Sequence, residues 1–356
     1  MSATAAATPA PRFDHLLRLT DPGGLFEHAR GTQPRREHGY CVDDVARGLV
    51  VTARQPDPDL AVLALRAQYL DFVLAAQAPD GRLHNRRGTD GPWRDEPSTA
   101  DCWGRAVWGL GAVAGAAPAA RVEAAAARRA LAGFERSAVL RSHDPRAQAF
   151  AALGAADVLA AHPDHDVARA LLADVADAVA AGSCEESTTR NGWAWTEPRL
   201  RYANAALPEV LLAAGDLLGR PELLERGLVM LDWLLAVQTN DGHLSVVPVR
   251  GLGPGEVGPG FDQQPIEVAA LADACARALA VTGERRWARA VRLAVAWFTG
   301  DNDARTPMLD RRTGGGYDGL EPSGRNANQG AESTLALLST LQVGLRCAAR
   351  QPVGSA

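Results

Sequence analysis

Residues Tyr69–Asn85 read YLDFVLAAQAPDGRLHN, and residues Met230–Val246 read MLDWLLAVQTNDGHLSV. Each starts as an apolar stripe at helical spacing, carries a Gln near its end, and stops at an Asp-Gly pair that favours a turn. The same structural unit is therefore expected twice. Each copy leads into a long Gly/Pro/polar loop and then into a helix rich in small residues. Such helices are expected to begin near Tyr40, Asp101, Gln148, Tyr202, Gln264 and Asn328, with sequences such as YCVDDVARGLVV and NQGAESTLALLSTL. They recur at intervals of roughly 45 to 65 residues, long for a solenoid repeat but suited to a helical hairpin with an elaborated loop.

Between them lie more two-faced segments: Asp59 to Gln77, Arg121 to Val139 and Glu284 to Phe298. Charges on one side and Leu, Ala, Val or aromatics on the other suit an outer ring, whereas helices with few charges suit an inner ring packed on all sides. The expected fold is all-α, an (α/α)6 toroid with short β-hairpins in its rim loops. LSVVPV (Leu244 to Val249) is the strand-like candidate for one of those hairpins. One barrel domain is expected over residues 12–346, between tails at 1–11 and 347–356.

Bulk composition narrows the ligand. With 47% hydrophobic and 22% charged residues among 356, the chain can bury a large core. A net charge of -5 and the lack of any dense Lys/Arg run offer no field for nucleic acid or a membrane surface. No stretch is apolar and long enough to span a bilayer, and the start of the chain lacks the pattern of a signal peptide. Cys41, Cys102, Cys184, Cys275 and Cys347 are scattered without metal-ligand spacing, which suits reduced thiols in a cytoplasmic protein. No cofactor or metal is implied.

In an alternating toroid the inner helices all point the same way, so their N-termini and long loops converge on one mouth. Asp43, Asp44, Asp101, Glu209, Glu267 and Glu332 sit near those N-termini. Any one of them could simply oppose its helix dipole, worth a few tenths to about 1 kcal/mol. The company they keep argues for more. His38, Tyr40, Trp103, Arg105, Trp193, Trp195, Arg201, Tyr202, Asn204, Gln263, Gln264, Asn328 and Gln329 belong to the same segments. Aromatic content is only 5%, yet four tryptophans, with Trp93 among them, fall in or beside the rim. Indole faces stack on sugar rings while carboxylates, amides and arginines answer hydroxyls, so an oligosaccharide or polysaccharide is the expected partner.

The segments HGYCVDDVARGLVV, DCWGRAVWGLG, TGGGYDGL and NQGAESTLALL resemble those of a bacterial family in the six-hairpin glycosidase superfamily, often described as glycosyltransferase-associated. The resemblance runs from about Arg12 to Arg346. It implies an (α/α)6 barrel, carbohydrate chemistry and a possible glycosyltransferase partner. No GxGxxG follows a strand, so the chain itself shows no nucleotide-sugar domain.

The chemistry expected is glycosidic cleavage by two carboxyls, one protonated and one ionised. The resemblance favours inversion, which needs carboxyls roughly 6.5 to 9.5 Å apart. Asp44 or Asp43 from the first inner helix is paired with Glu332 from the last, neighbours once the ring closes. Asp101 is the third candidate, with an i,i+4 ion pair to Arg105 as its plainer role. Glu197 and Asp318 are loop acids able to close over a substrate or to brace turns. His84 and His243 read as turn residues; His38 is the better site histidine. Phosphorolysis stays open beside hydrolysis. So do epimerisation of the N-acyl-glucosamine 2-epimerase type, marked by two histidines facing each other in the cavity, and a noncatalytic glycan-binding module. A terpene-cyclase-like toroid is weaker, for want of a DxDD motif.

Overall fold

The computed structural model describes residues 7–118, 120–182, 193–256 and 260–350. The helices among them are α1 (Asp14–Leu19), α2 (Val42–Ala53), α3 (Leu60–Ala76), α4 (Asp101–Ala114), α5 (Arg121–Ala138) and α6 (Pro145–Ala161), then α7 (Asp166–Ala181), α8 (Ala206–Leu217), α9 (Pro221–Val237), α10 (Pro265–Thr282), α11 (Arg285–Thr299) and α12 (Ala331–Ala349). The even-numbered helices form a closed inner ring, α2 against α4, α4 against α6, and so on until α12 meets α2. Each odd-numbered helix packs outside: α3 on α2, α5 on α4, α7 on α6, α9 on α8, α11 on α10, and α1 on α12. This is the expected (α/α)6 toroid.

Side-chain size explains which helix goes where. From Cys102 to Ala114 every residue of α4 is buried, because Gly, Ala and Val leave neighbours close on all sides. Where α4 meets α6 the backbones nearly touch: a Cβ on Gly104 would sit 2.1 Å from the Ala147 carbonyl oxygen, and one on Gly111 would sit 2.3 Å from that of Gly154. By contrast α11 buries Trp287, Ala290, Val291, Ala294 and Trp297 along one stripe and turns arginines outward.

Loop lengths are polarised. Inner-to-outer connections are short turns, residues 54–59, 162–165, 218–220 and 283–284 among them, whereas those feeding α2, α4, α8, α10 and α12 are long. Among the described residues the rim carries five antiparallel pairs of two-residue strands: β1 (Thr20–Asp21) with β2 (Gly24–Leu25), β3 (Ala29–Arg30) with β4 (Gln33–Pro34), β5 (Tyr40–Cys41) with β6 (Arg86–Arg87), a fourth pair, and β9 (Leu320–Glu321) with β10 (Gly324–Arg325). In one of them β7 (Thr239–Asn240) and β8 (His243–Leu244) are joined by Asp241 and Gly242, both at positive φ, the geometry an Asp-Gly hairpin turn demands.

Three expectations shift. Helix α6 starts at Pro145, ahead of Gln148, because Asp144 caps it by accepting from the Arg146 N–H and Pro145 suits the first turn. The LSVVPV strand is confined to Leu244; Val246 and Val247 are buried as loop plugs instead. Helix α12 runs past the expected boundary at Arg346 to Ala349.

Candidate active site

The inner-helix N-termini open into a cavity of about 420 Å³. Helix α2 contributes Asp43, Asp44 and Arg47, α4 contributes Asp101, and α12 contributes Glu332 and Ser333. Tyr202 and Gln264 enter from the residues just before α8 and α10, and Asp318, Glu27, His28 and Cys41 from rim loops. Ring closure thus brings the first and last inner helices to one site.

Arg47 organises it. Its Nη1 donates to Asp44 Oδ1 at 2.6 Å, and its Nη2 lies 2.8 Å from Glu332 Oε2 and donates to the Tyr202 hydroxyl at 3.0 Å. Two carboxyls therefore share one guanidinium in unlike surroundings. Asp44 is 2% exposed, and burial lifts its carboxyl to about 7 against the pull of Arg47, with Glu332, Glu27 and Asp43 adding to the rise. The Glu332 side chain is 34% exposed and faces the opening. Near neutral pH Asp44 can therefore hold a proton beside a second, more open carboxyl.

Asp43 also titrates above the ordinary range, chiefly through burial. Its Oδ2 accepts from Asn85 at 3.0 Å, whereas Oδ1, like Asp101 Oδ1, is buried with no donor among the described residues. Those two oxygens are unpaired acceptors on residues that line the cavity. Arg105 does not complete the i,i+4 pair with Asp101; its Nη2 donates to the Tyr202 hydroxyl, which in turn donates to Asp101 Oδ2 at 3.2 Å.

Arg47, Glu27, His28, Cys41 and Ser333 line the cavity in addition to the residues expected from the sequence. For Arg47 the signal existed: it lies three residues after Asp44 on the same helical face. Glu27 and His28 reach the cavity through the small hairpins before α2, which no local pattern announces. Glu27, Cys41 and Asp44 bring ligand atoms within 4.8 Å of one another. Arg86 and Arg47 already pair with the two acids, and burial drives the Cys41 thiol well above its ordinary pKa, so the trio is poorly suited to a cation.

Several expected site residues brace the rim instead. Trp103 is fully buried and donates to the Ser137 carbonyl. Trp193 and Trp195 pack on Trp233, with ring centroids 5.1 and 5.9 Å away, and donate to the Glu197 carbonyl and carboxylate. Glu197 also takes both Nη atoms of Arg146. Among the described residues the expected Trp-lined cleft gives way to a polar cavity in which Tyr202 is the one Trp, Tyr or Phe side chain. Trp193→Ala is accordingly expected to cost about 3–5 kcal/mol of stability and leave sugar affinity unchanged, read by denaturant unfolding and calorimetric titration.

Most of the remaining polar candidates hold the rim together, since a long loop must satisfy its backbone. Tyr40 is core, donating to Asp21 at 2.7 Å. Gln263 spans the Gly260 carbonyl, Asp303 and the Trp297 indole. Asn328 accepts from the Gly31 N–H, and Gln329 joins Thr313 to Asp310. Asp318 lines the cavity but spends Oδ1 on the Gly330 N–H. Arg201 points to solvent, and His38 stands behind His28, the rings edge-to-face at 5.0 Å. Glu209 is not at the mouth; it lies along the ring axis paired with Arg277, with burial lifting it to about 7.

Glu267 has a clear structural purpose. Ala203 is held at φ 46, and Glu267 accepts from its N–H, from the Asn204 N–H and from Asn204 Nδ2. That clasp sets the turn presenting Tyr202 to the cavity. Glu267→Ala strands three buried donors and should lower stability by about 2–3 kcal/mol, measurable as a fall in urea midpoint.

The (α/α)6 fold is shared with several solved structures. Among solved structures with this fold are a sugar epimerase from a ruminal bacterium (14% identity, TM-score 0.69, 94% of this chain and 95% of that one) and a D-mannose isomerase (11%, 0.65, 92% and 93%). A third is the cellulase Cel9M of C. cellulolyticium in complex with cellobiose (9%, 0.62, 91% and 88%). No family model and no curated protein matches the chain. No helix among the described residues is long and apolar enough to cross a membrane.

Proposed function

We propose that this chain is a carbohydrate-active enzyme of the epimerase or isomerase type, working on a small sugar in the Asp44–Glu332 cavity. The observation that carries the reading is the shared guanidinium of Arg47, with a protonatable Asp44 on one nitrogen and a more open Glu332 on the other. End-to-end similarity in fold to a sugar epimerase and a D-mannose isomerase supports the choice of class.

In such a reaction Glu332 removes the proton on the carbon beside the sugar carbonyl, leaving an enediolate. The positive charge of Arg47 stabilises that anion in a partly water-excluded site. A proton returned to the opposite face of the same carbon gives the epimer; one delivered to the neighbouring carbon, with the hydroxyl proton passing between the two oxygens, gives the isomer. Asp44 and His28 are the cavity groups able to return it. Among the described lining residues His28 is the lone histidine, so the facing histidine pair expected of this class is replaced here by carboxyls and one imidazole.

Hydrolysis is the second reading. Two carboxyls in unequal environments meet its basic requirement, and the cellulase shares the fold. The test is incubation with free and glycosidically linked sugars in heavy water, followed by proton NMR. Deuterium appearing at C2 of a reducing sugar supports proton transfer; new reducing ends without exchange support hydrolysis. Binding without either change would leave a glycan-binding module, for which a glycosyltransferase partner could be sought by co-purification.

A further inference from the structure

Arg105 is a fully buried cation with few partners. Its guanidinium lies 3.3 Å from the centroid of the Phe150 ring, and Nε and Nη1 have no acceptor among the described residues. Nη2 donates to the Tyr202 hydroxyl. Arg47 reaches the same oxygen from the other side, 3.0 Å away, and the hydroxyl proton points to Asp101 Oδ2. Two like charges thus converge on one phenolic oxygen, whose donor and acceptor capacity is spent within the protein. Nothing of it is left for a substrate.

We propose that the Tyr202 hydroxyl is a positioning group: by accepting from both guanidiniums and donating to Asp101, it fixes the fork of Arg47 against Asp44 and Glu332. Helices α2, α4 and α12 are tied through it to the turn before α8. Without the hydroxyl the repulsion between Arg47 and Arg105 remains while their common acceptor is gone, so Arg47 loses its register on Asp44. The charged and titratable groups facing Asp44 are Arg47 and Asp43 on its own helix, Glu332 on α12, and Glu27 and Cys41 from the rim. Arg47 is the one that favours ionisation. Its displacement should push the Asp44 midpoint further upward.

This inference rests on reading Asp44 and Glu332 as the proton-transfer pair, yet its test needs no substrate. The Asp44 carboxyl is titrated by carbon-13 NMR in the wild type, in Tyr202→Phe and in Tyr69→Phe. Tyr69 supplies the control because its buried hydroxyl meets Thr20, away from the cavity. Tyr202→Phe should raise the Asp44 midpoint by about one unit, and Tyr69→Phe should leave it in place. A folded Tyr202→Phe protein with the wild-type midpoint would overturn the proposal, even if it melted lower, since that outcome marks a merely structural hydroxyl. Should Tyr202→Phe fail to fold, replacing the tyrosines with 3-fluorotyrosine keeps the shape and weakens the oxygen as an acceptor. The midpoint should then rise by a few tenths of a unit; an unchanged midpoint overturns the idea. A raised midpoint in a protein that turns over no sugar supports the positioning role while removing the function built on it.

Discussion

Asp44→Asn is expected to lower turnover by about 10²- to 10⁴-fold while a sugar still binds, and Glu332→Gln to do the same. In the wild type, activity that needs protonated Asp44 should decline above pH about 7. The same substitution should act in the opposite direction on stability. Burial has lifted the folded carboxyl from 3.8 to about 7, so across that window the folded state keeps a proton the unfolded chain has lost. The stability Asp44 allows is full below pH 4 and diminishes as pH rises through 7. The amide escapes that loss, so Asp44→Asn should melt higher than wild type at pH 8, with the gap closing towards pH 4. Loss of turnover together with gained alkaline stability is the signature of a buried acid kept for chemistry; a dipole cap would show near-normal turnover and lower stability. Near-normal turnover in both variants would remove the pair and turn attention to Asp43 and Asp101.

The second large effect belongs to the α4–α6 seam. Gly111→Val places a branched side chain where even a Cβ would stand 2.3 Å from the Gly154 oxygen and 2.7 Å from its Cα. Backbone cannot swing aside as a flexible side chain does. Overpacking in a close-packed core costs typically about 1–3 kcal/mol and more when backbone must move, so a loss of at least about 3 kcal/mol is expected. Because α4 carries Asp101 and Arg105, the displacement should also disturb the cavity, visible as weakened ligand binding in whatever protein remains folded.

Inner and outer helices could be told apart from sequence because the distinction is written locally, in the small uncharged faces of DCWGRAVWGLGAV against the two-sided ERRWARAVRLAVAWF. The cluster of acids at one mouth followed from helix direction alone. The tryptophans misled because an indole beside a loop looks the same in sequence whether it stacks on a ligand or on Trp233. Glu267, Glu197 and Gln263 misled for a related reason: a long rim loop needs buried acceptors and donors of its own, and these are the residue types a sugar would also need. What sequence could not show is the meeting of Arg47 and Tyr202, far apart in the chain, which is a tertiary fact.

Closure of the inner ring has a thermodynamic consequence. A helical solenoid has terminal repeats that can fray one at a time, so its hydrogen exchange grades from the ends inward. Here α12 packs on α2, and every inner helix has an inner neighbour on both sides. No hairpin can peel away without opening a seam buried on two flanks. Inner-helix amides should therefore exchange together, through one cooperative opening, and the Asp44–Arg47–Glu332 cluster that straddles the α12–α2 seam should stay assembled until the whole ring gives way.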